Sequence, residues 1–125
     1  MHHLLVDGES SEGSVWETCS FASIHKLDNS VAIFDVNRSG QGQPAPLGHQ
    51  TDVYGARLKA FGMETHVVDG HNVEELVKVL NTAKTSKNGK PKAVICKTFK
   101  GKGFPGIENE LNWHGVSYWA QWVID

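Results

Sequence analysis

Two kinds of apolar run alternate along the chain, one short and nearly unbroken, the other spaced at three to four residues. Residues 4–6 form a short apolar run that ends in Asp7-Gly8 and reads as the last part of a strand entering a turn. From 14 to 27 the apolar positions Val15, Cys19, Ala22 and Leu27 recur at helical spacing, with Trp16, Phe21 and Ile24 widening the stripe. This predicts an amphipathic helix, and Ser14 with Glu17 fits a capping box. Residues 31–36 are continuous and apolar apart from Asp35, the pattern of a strand buried on both faces. Three glycines and two prolines between 39 and 48 make that stretch a loop. A second helix is expected over 52–61 and a short strand over 65–68, ending at Asp69-Gly70. Asn72, with Glu75 three residues on, caps a third helix whose expected buried stripe is Val73, Leu76, Val77 and Leu80. Residues 86–91 are a polar turn, and 93–98 are the last clear strand.

Strands and helices thus alternate, which argues for an α/β layer with a parallel sheet. In such sheets ligands bind beyond the carboxyl ends of the strands. Asp7-Gly8, Asn37 and Lys100-Gly101 all follow predicted strands and are expected to converge on one edge. Composition narrows the class further. With 125 residues, 39% hydrophobic and 21% charged, the chain has room for one globular domain with a modest core. A formal net charge of −2 without a basic run argues against a nucleic-acid surface. No apolar run reaches membrane length. Cys19 and Cys96 lie in apolar stretches without CxxC spacing, so buried free thiols are expected, and with them a reducing compartment, the cytosol.

Asp7 and Asn37 each offer a side-chain oxygen at a strand end, and a right-handed crossover can bring two such strands side by side. Mg²⁺ takes few protein oxygens and completes its octahedron with phosphates and water. Gly8, lacking a Cβ, lets its amide approach a phosphate closely, and a following helix N-terminus favours anions. The residues taken alone therefore allow a metal-bridged diphosphate site. They equally allow an ordinary Asp-Gly turn and an Asn loop cap.

Longer motifs narrow this choice. DGESSEGSVWE at 7–17 and DVNRSGQ at 35–41 resemble the thiamine diphosphate signature of transketolases, in which Gly-Asp-Gly is followed after about thirty residues by Asn. PAPLGHQ at 44–50, VDGHNVEEL at 68–76, KTFKGKG at 97–103 and NWHG at 112–115 follow in that family's order. The resemblance implies a parallel-sheet, pyrophosphate-binding type of α/β domain over 1–115, truncated at both ends, with a divergent tail at 116–125. It implies Mg²⁺ held by the side chains of Asp7 and Asn37 and the main-chain carbonyl of Ser39. Gly8, Asn37, Lys100 and His114 would contact thiamine diphosphate, and His114 would also reach the sugar and act in catalysis. Gln41 would lie near the thiamine rings, and Glu12 at a dimer contact.

The implied reaction is transfer of a two-carbon ketol group from a ketose phosphate to an aldose phosphate, in the pentose phosphate pathway, by a cytoplasmic homodimer. The family's catalytic glutamate belongs to a separate pyrimidine-binding domain, so the 125 residues alone are expected to be inactive. The alternative is a non-catalytic fragment that holds thiamine diphosphate or pairs with full-length subunits. Where the family has Gly-Asp-Gly, this chain has Val6-Asp7-Gly8. Valine would suit that position poorly if it required a positive φ.

Overall fold

The structure, a computed structural model, describes residues 1–116. Its elements are β1 (His2–Val6), α1 (Gly13–Ile24), β2 (Val31–Val36), α2 (Thr51–Ala60), β3 (Glu64–Asp69), α3 (Val73–Thr85) and β4 (Lys92–Lys97). Single 3₁₀ turns lie at Glu9–Ser11 and Leu111–Trp113. The four strands are all parallel, in the order β1-β2-β4-β3. Parallel neighbours put every strand's carboxyl end at the same edge, and the expected convergence of Asp7, Asn37 and Lys100 follows from that topology.

Two apolar layers cover the sheet. Phe34, Val36, Ile95, Tyr54, Leu58 and Cys19 belong to one cluster, against which Trp16 and Phe61 pack. Val31, Val94, Cys96, Val68, Val79 and Ala83 form the other. Because β2 and β4 feed both clusters, Phe34, Val36, Val94 and Ile95 are completely buried, as a continuous apolar strand requires. β1 and β3 are the edge strands, and Leu4 on β1 is 70% exposed. Both cysteines are buried and free, as expected. Burial and the nearby Asp35 carboxylate push the Cys96 thiol up to about 11, so it is inert at neutral pH.

Three local expectations need correction. α1 starts at Gly13 with Glu12 as its cap residue and no side-chain capping bond. Ser14 is therefore already inside the helix, and the Ser14–Glu17 box does not form. α1 also ends at Ile24, three residues short of Leu27, and Phe21 and Ile24 are exposed. In α3 the expected stripe is rotated, since Val73 and Val77 face outward while Val79 and Ala83 are buried beside Leu76 and Leu80. Asn72, by contrast, caps α3 as expected, its Oδ1 accepting the Glu75 amide at 3.1 Å. Of the tail at 116–125, all but Val116 lies outside the described residues.

Candidate functional site

Three strand ends build the site. Asp7 follows β1, and its amide donates to the Asp35 carbonyl of β2 at 3.1 Å. Its own carbonyl accepts a 2.5 Å bond from the Ser10 hydroxyl, which also meets the Tyr54 hydroxyl at 3.0 Å. The residue has no solvent exposure, yet neither carboxylate oxygen has a hydrogen-bond partner among the described residues. Burial pushes the Asp7 carboxyl above the usual carboxylate range, and the Asp35 charge adds to this. The backbone amides of Arg38 and Gly8 lean toward the group and offset part of the rise.

Asn37 follows β2. Its Nδ2 donates to Asp35 Oδ2 at 3.3 Å, and its Oδ1 accepts the Ser39 amide at 2.9 Å. That leaves Oδ1 with one further acceptor position. Ser39 is buried, and the loop beyond it turns tightly. A Cβ on Gly40 would sit 2.8 Å from the Gln43 carbonyl oxygen, so no other residue fits there without a shift.

Gly8, Ser39, Gln41 and His114 line one cavity of about 690 Å³, together with Glu12 and Val6. Asn37 and Lys100 line a second, of about 520 Å³, with Asp35, Thr98 and Phe99. The Lys100 ammonium lies 3.0 Å from His114 Nδ1, which joins the two. Every residue expected at the site thus stands at one edge of the sheet, with Asp7 fully buried outside both hollows and the others divided between them. The helix dipole expected behind Gly8 is displaced, because a 3₁₀ turn (Glu9–Ser11) separates that glycine from α1. Val6 belongs to strand β1 and is absent from the residues of positive φ, so valine is unstrained here.

An oxygen-only set of one carboxylate, one amide and one main-chain carbonyl suits a hard cation such as Mg²⁺. The buried, unpartnered Asp7 carboxylate is the observation that fits such an ion, since an isolated buried charge is otherwise costly. Among the described residues, no group of three or more His, Cys, Asp or Glu could by itself hold a metal ion.

Sequence reasoning missed several supporting residues. Thr98 donates its hydroxyl to Asp35 Oδ1, and its carbonyl bonds His49 Nε2 at 2.8 Å, tying the 44–50 loop to the end of β4. Burial holds His49 below the ordinary histidine range, with the Thr98 carbonyl opposing. Arg38, at φ +63°, donates to both the side chain (2.6 Å) and the carbonyl (2.5 Å) of Asn109. The Asn109 amide in turn donates to the Lys100 carbonyl at 2.7 Å, so Arg38 fixes the segment that carries Lys100. Phe99 packs edge-on against His49 and stacks on His71, whose Nε2 accepts the Phe99 amide at 2.8 Å. The one legible signal was Asp35, the lone charge in a buried strand. Arg38 and Asn109 are far apart in sequence and carried none.

A family model described as the thiamine diphosphate binding domain of transketolase matches residues 1–123. The chain is 59% identical to transketolase of Mus musculus and 58% identical to that of Homo sapiens, each over 112 residues. Those alignments cover 90% of this chain and 17% of the relatives' length. The transketolase crystal structure from Campylobacter jejuni superposes with a TM-score of 0.76 at 37% identity, over 86% of this chain and 17% of that one. Transketolase from Leishmania mexicana gives 0.69 at 27% identity, over 78% and 15%. With the same parallel sheet and the motifs at its carboxyl edge, this chain belongs to the family of transketolase thiamine diphosphate-binding domains.

Proposed function

We propose that this chain forms the Mg²⁺–thiamine diphosphate half of a transketolase active site. In that reading Asp7, Asn37 and the Ser39 carbonyl hold the cation, while the Gly8 amide and Asn37 meet the diphosphate. Lys100 offers charge-assisted donors to anionic oxygens. His114 lies beside Lys100, where it can hydrogen-bond a sugar hydroxyl and exchange a proton with it. The cofactor supplies the chemistry of two-carbon ketol transfer between sugar phosphates when bound. The chain's own contribution is to bind and orient it at a buried edge.

The assembly is a cytosolic dimer in this reading, and the 125 residues by themselves hold the cofactor without turnover. The chain spans 17% of the length of the transketolases it matches, which supports assigning it one part of a larger site. The observation that carries the proposal is the fully buried Asp7 carboxylate without a partner, one strand away from Asn37. Thermal unfolding with thiamine diphosphate, in Mg²⁺ and then in EDTA, tests it. At a hundredfold excess over the dissociation constant the cofactor should add about 2.7 kcal/mol. The shift should need Mg²⁺ and disappear in Asp7→Ala; a transition indifferent to both would overturn the proposal.

A further inference from the structure

Asp35 is the one acidic residue of β2, and both of its carboxylate oxygens are engaged. Oδ1 accepts the Thr98 hydroxyl from the end of β4, and Oδ2 accepts Nδ2 of Asn37 at 3.3 Å. An ionised carboxylate only accepts hydrogen bonds, so the part of the Asn37 amide that faces it must be the NH₂ group. The two ends of an amide have nearly the same shape. Asp35 therefore decides which end of Asn37 turns away from it. The Ser39 amide, donating to Oδ1, favours the same orientation from the other side.

Holding the strands together does not need this arrangement. The sheet ladder is already closed at this point by main-chain bonds, with the Thr98 amide donating to the Val36 carbonyl at 3.1 Å and Asp7 to the Asp35 carbonyl at 3.1 Å. Nor does a half-buried carboxylate help a strand, since the charge loses part of its water on the way in. What the side chain adds to the backbone is the fixed direction of one amide.

We propose that Asp35 is a positioning residue that, with Thr98 bracing it, locks the Asn37 amide with its oxygen presented for a divalent cation. The inference rests on the cation reading of Asp7 and Asn37 and deepens it. Outer partners of this kind set ligand orientation, and their loss weakens metal binding about 10- to 100-fold. Asparagine at 35 can present a donor as readily as an acceptor, so it no longer dictates which end of the Asn37 amide faces it.

The test is a double-mutant cycle read by electron paramagnetic resonance of free Mn²⁺, a stand-in for Mg²⁺, with thiamine diphosphate present. Asp35→Asn should raise the Mn²⁺ dissociation constant about 10-fold or more in the wild-type background. In an Asn37→Ala background it should change it less than about 2-fold, because the residue it acts through is gone. Thr98→Val, which leaves the charge and the ladder in place, should give a smaller loss that also vanishes in Asn37→Ala. Thr98→Val decides the matter if Asp35→Asn proves too unstable by urea titration. Equal losses in both backgrounds would mean that Asp35 acts by its own charge, and no loss in either single variant would mean that it positions nothing. Either result overturns the inference while leaving the cation site standing. An Asn37→Ala variant that binds Mn²⁺ like the wild type would instead remove the cation reading itself.

Discussion

Two ionisable side chains lie completely buried at opposite ends of the sheet, and the protein treats them differently. Lys92 opens β4 with no solvent exposure, and its amino group donates to the carbonyls of Asp28 at 2.7 Å and Ser86 at 2.8 Å. Asp7, beyond the last residue of β1, is equally buried and has nothing bonded to its carboxylate among the described residues. A buried polar group without a partner costs about 1–3 kcal/mol, more if charged. The amino-terminal edge is thus closed around its lysine. The carboxyl-terminal edge carries a cost that a cation would relieve. That difference separates a structural end of the sheet from a binding end.

Breaking the closed end should have the largest effect. Lys92→Met fills similar space but leaves two carbonyls unpaired, and should lower stability by about 3 kcal/mol in urea unfolding. Its response to thiamine diphosphate and Mg²⁺ should persist once the loss of stability is allowed for. Gly70→Ala strikes the binding end sterically. A Cβ there would lie 2.3 Å from Thr98 Cγ2 and 3.0 Å from Cys96 Cβ, so overpacking should cost about 2 kcal/mol.

Asp7→Asn should move stability the other way. Without cation it should gain about 1 kcal/mol, because the unpaired charge is removed, while the cofactor-dependent shift is lost. Asp7 and Lys92 would then no longer differ in kind, and a destabilised variant would show that Asp7 is satisfied as it stands. The pH dependence sharpens this. Burial raises Asp7 above its ordinary value of 3.8, so the folded chain binds the proton more tightly than the unfolded one. Its effect is absent below that ordinary value, and stability falls as pH climbs from it through the raised folded value. The gap between Asp7→Asn and the wild type should open over that window in denaturant titrations. Smallest of all should be Glu108→Gln. This residue pairs with Lys102 at 2.9 Å on the surface, and its loss should leave the urea midpoint essentially unchanged.

The strands were legible because buried parallel strands read as unbroken apolar runs, and β2 and β4 are such runs. Helix positions were legible for the same kind of reason, yet not which face turns inward. In α3 two adjacent apolar rows compete, and packing on the sheet chose Val79 and Ala83 over Val73 and Val77. In α1 the stripe that includes Phe21 and Ile24 is wider than the surface the sheet offers it, and Phe21 rests on His25 instead. At the site, the family resemblance named Asp7, Gly8, Asn37, Ser39, Lys100 and His114 as candidates, and the parallel topology brings their segments to one edge. Asp35, Thr98, Arg38 and Asn109 act across 63 to 71 residues of chain, a separation that no local pattern encodes.

The order of strands and helices, the parallel sheet and the edge that carries the candidate ligands were determined by the sequence alone, because periodicity and strand–turn chemistry are local properties. Only the tertiary structure decided that Asp7 is fully buried and unpartnered and that Asp35 and Thr98 brace Asn37. The same holds for the segment bearing Lys100, clamped by Arg38 through Asn109. Burial and hydrogen-bond satisfaction depend on which distant groups arrive at one place, and that is a property of the packed chain.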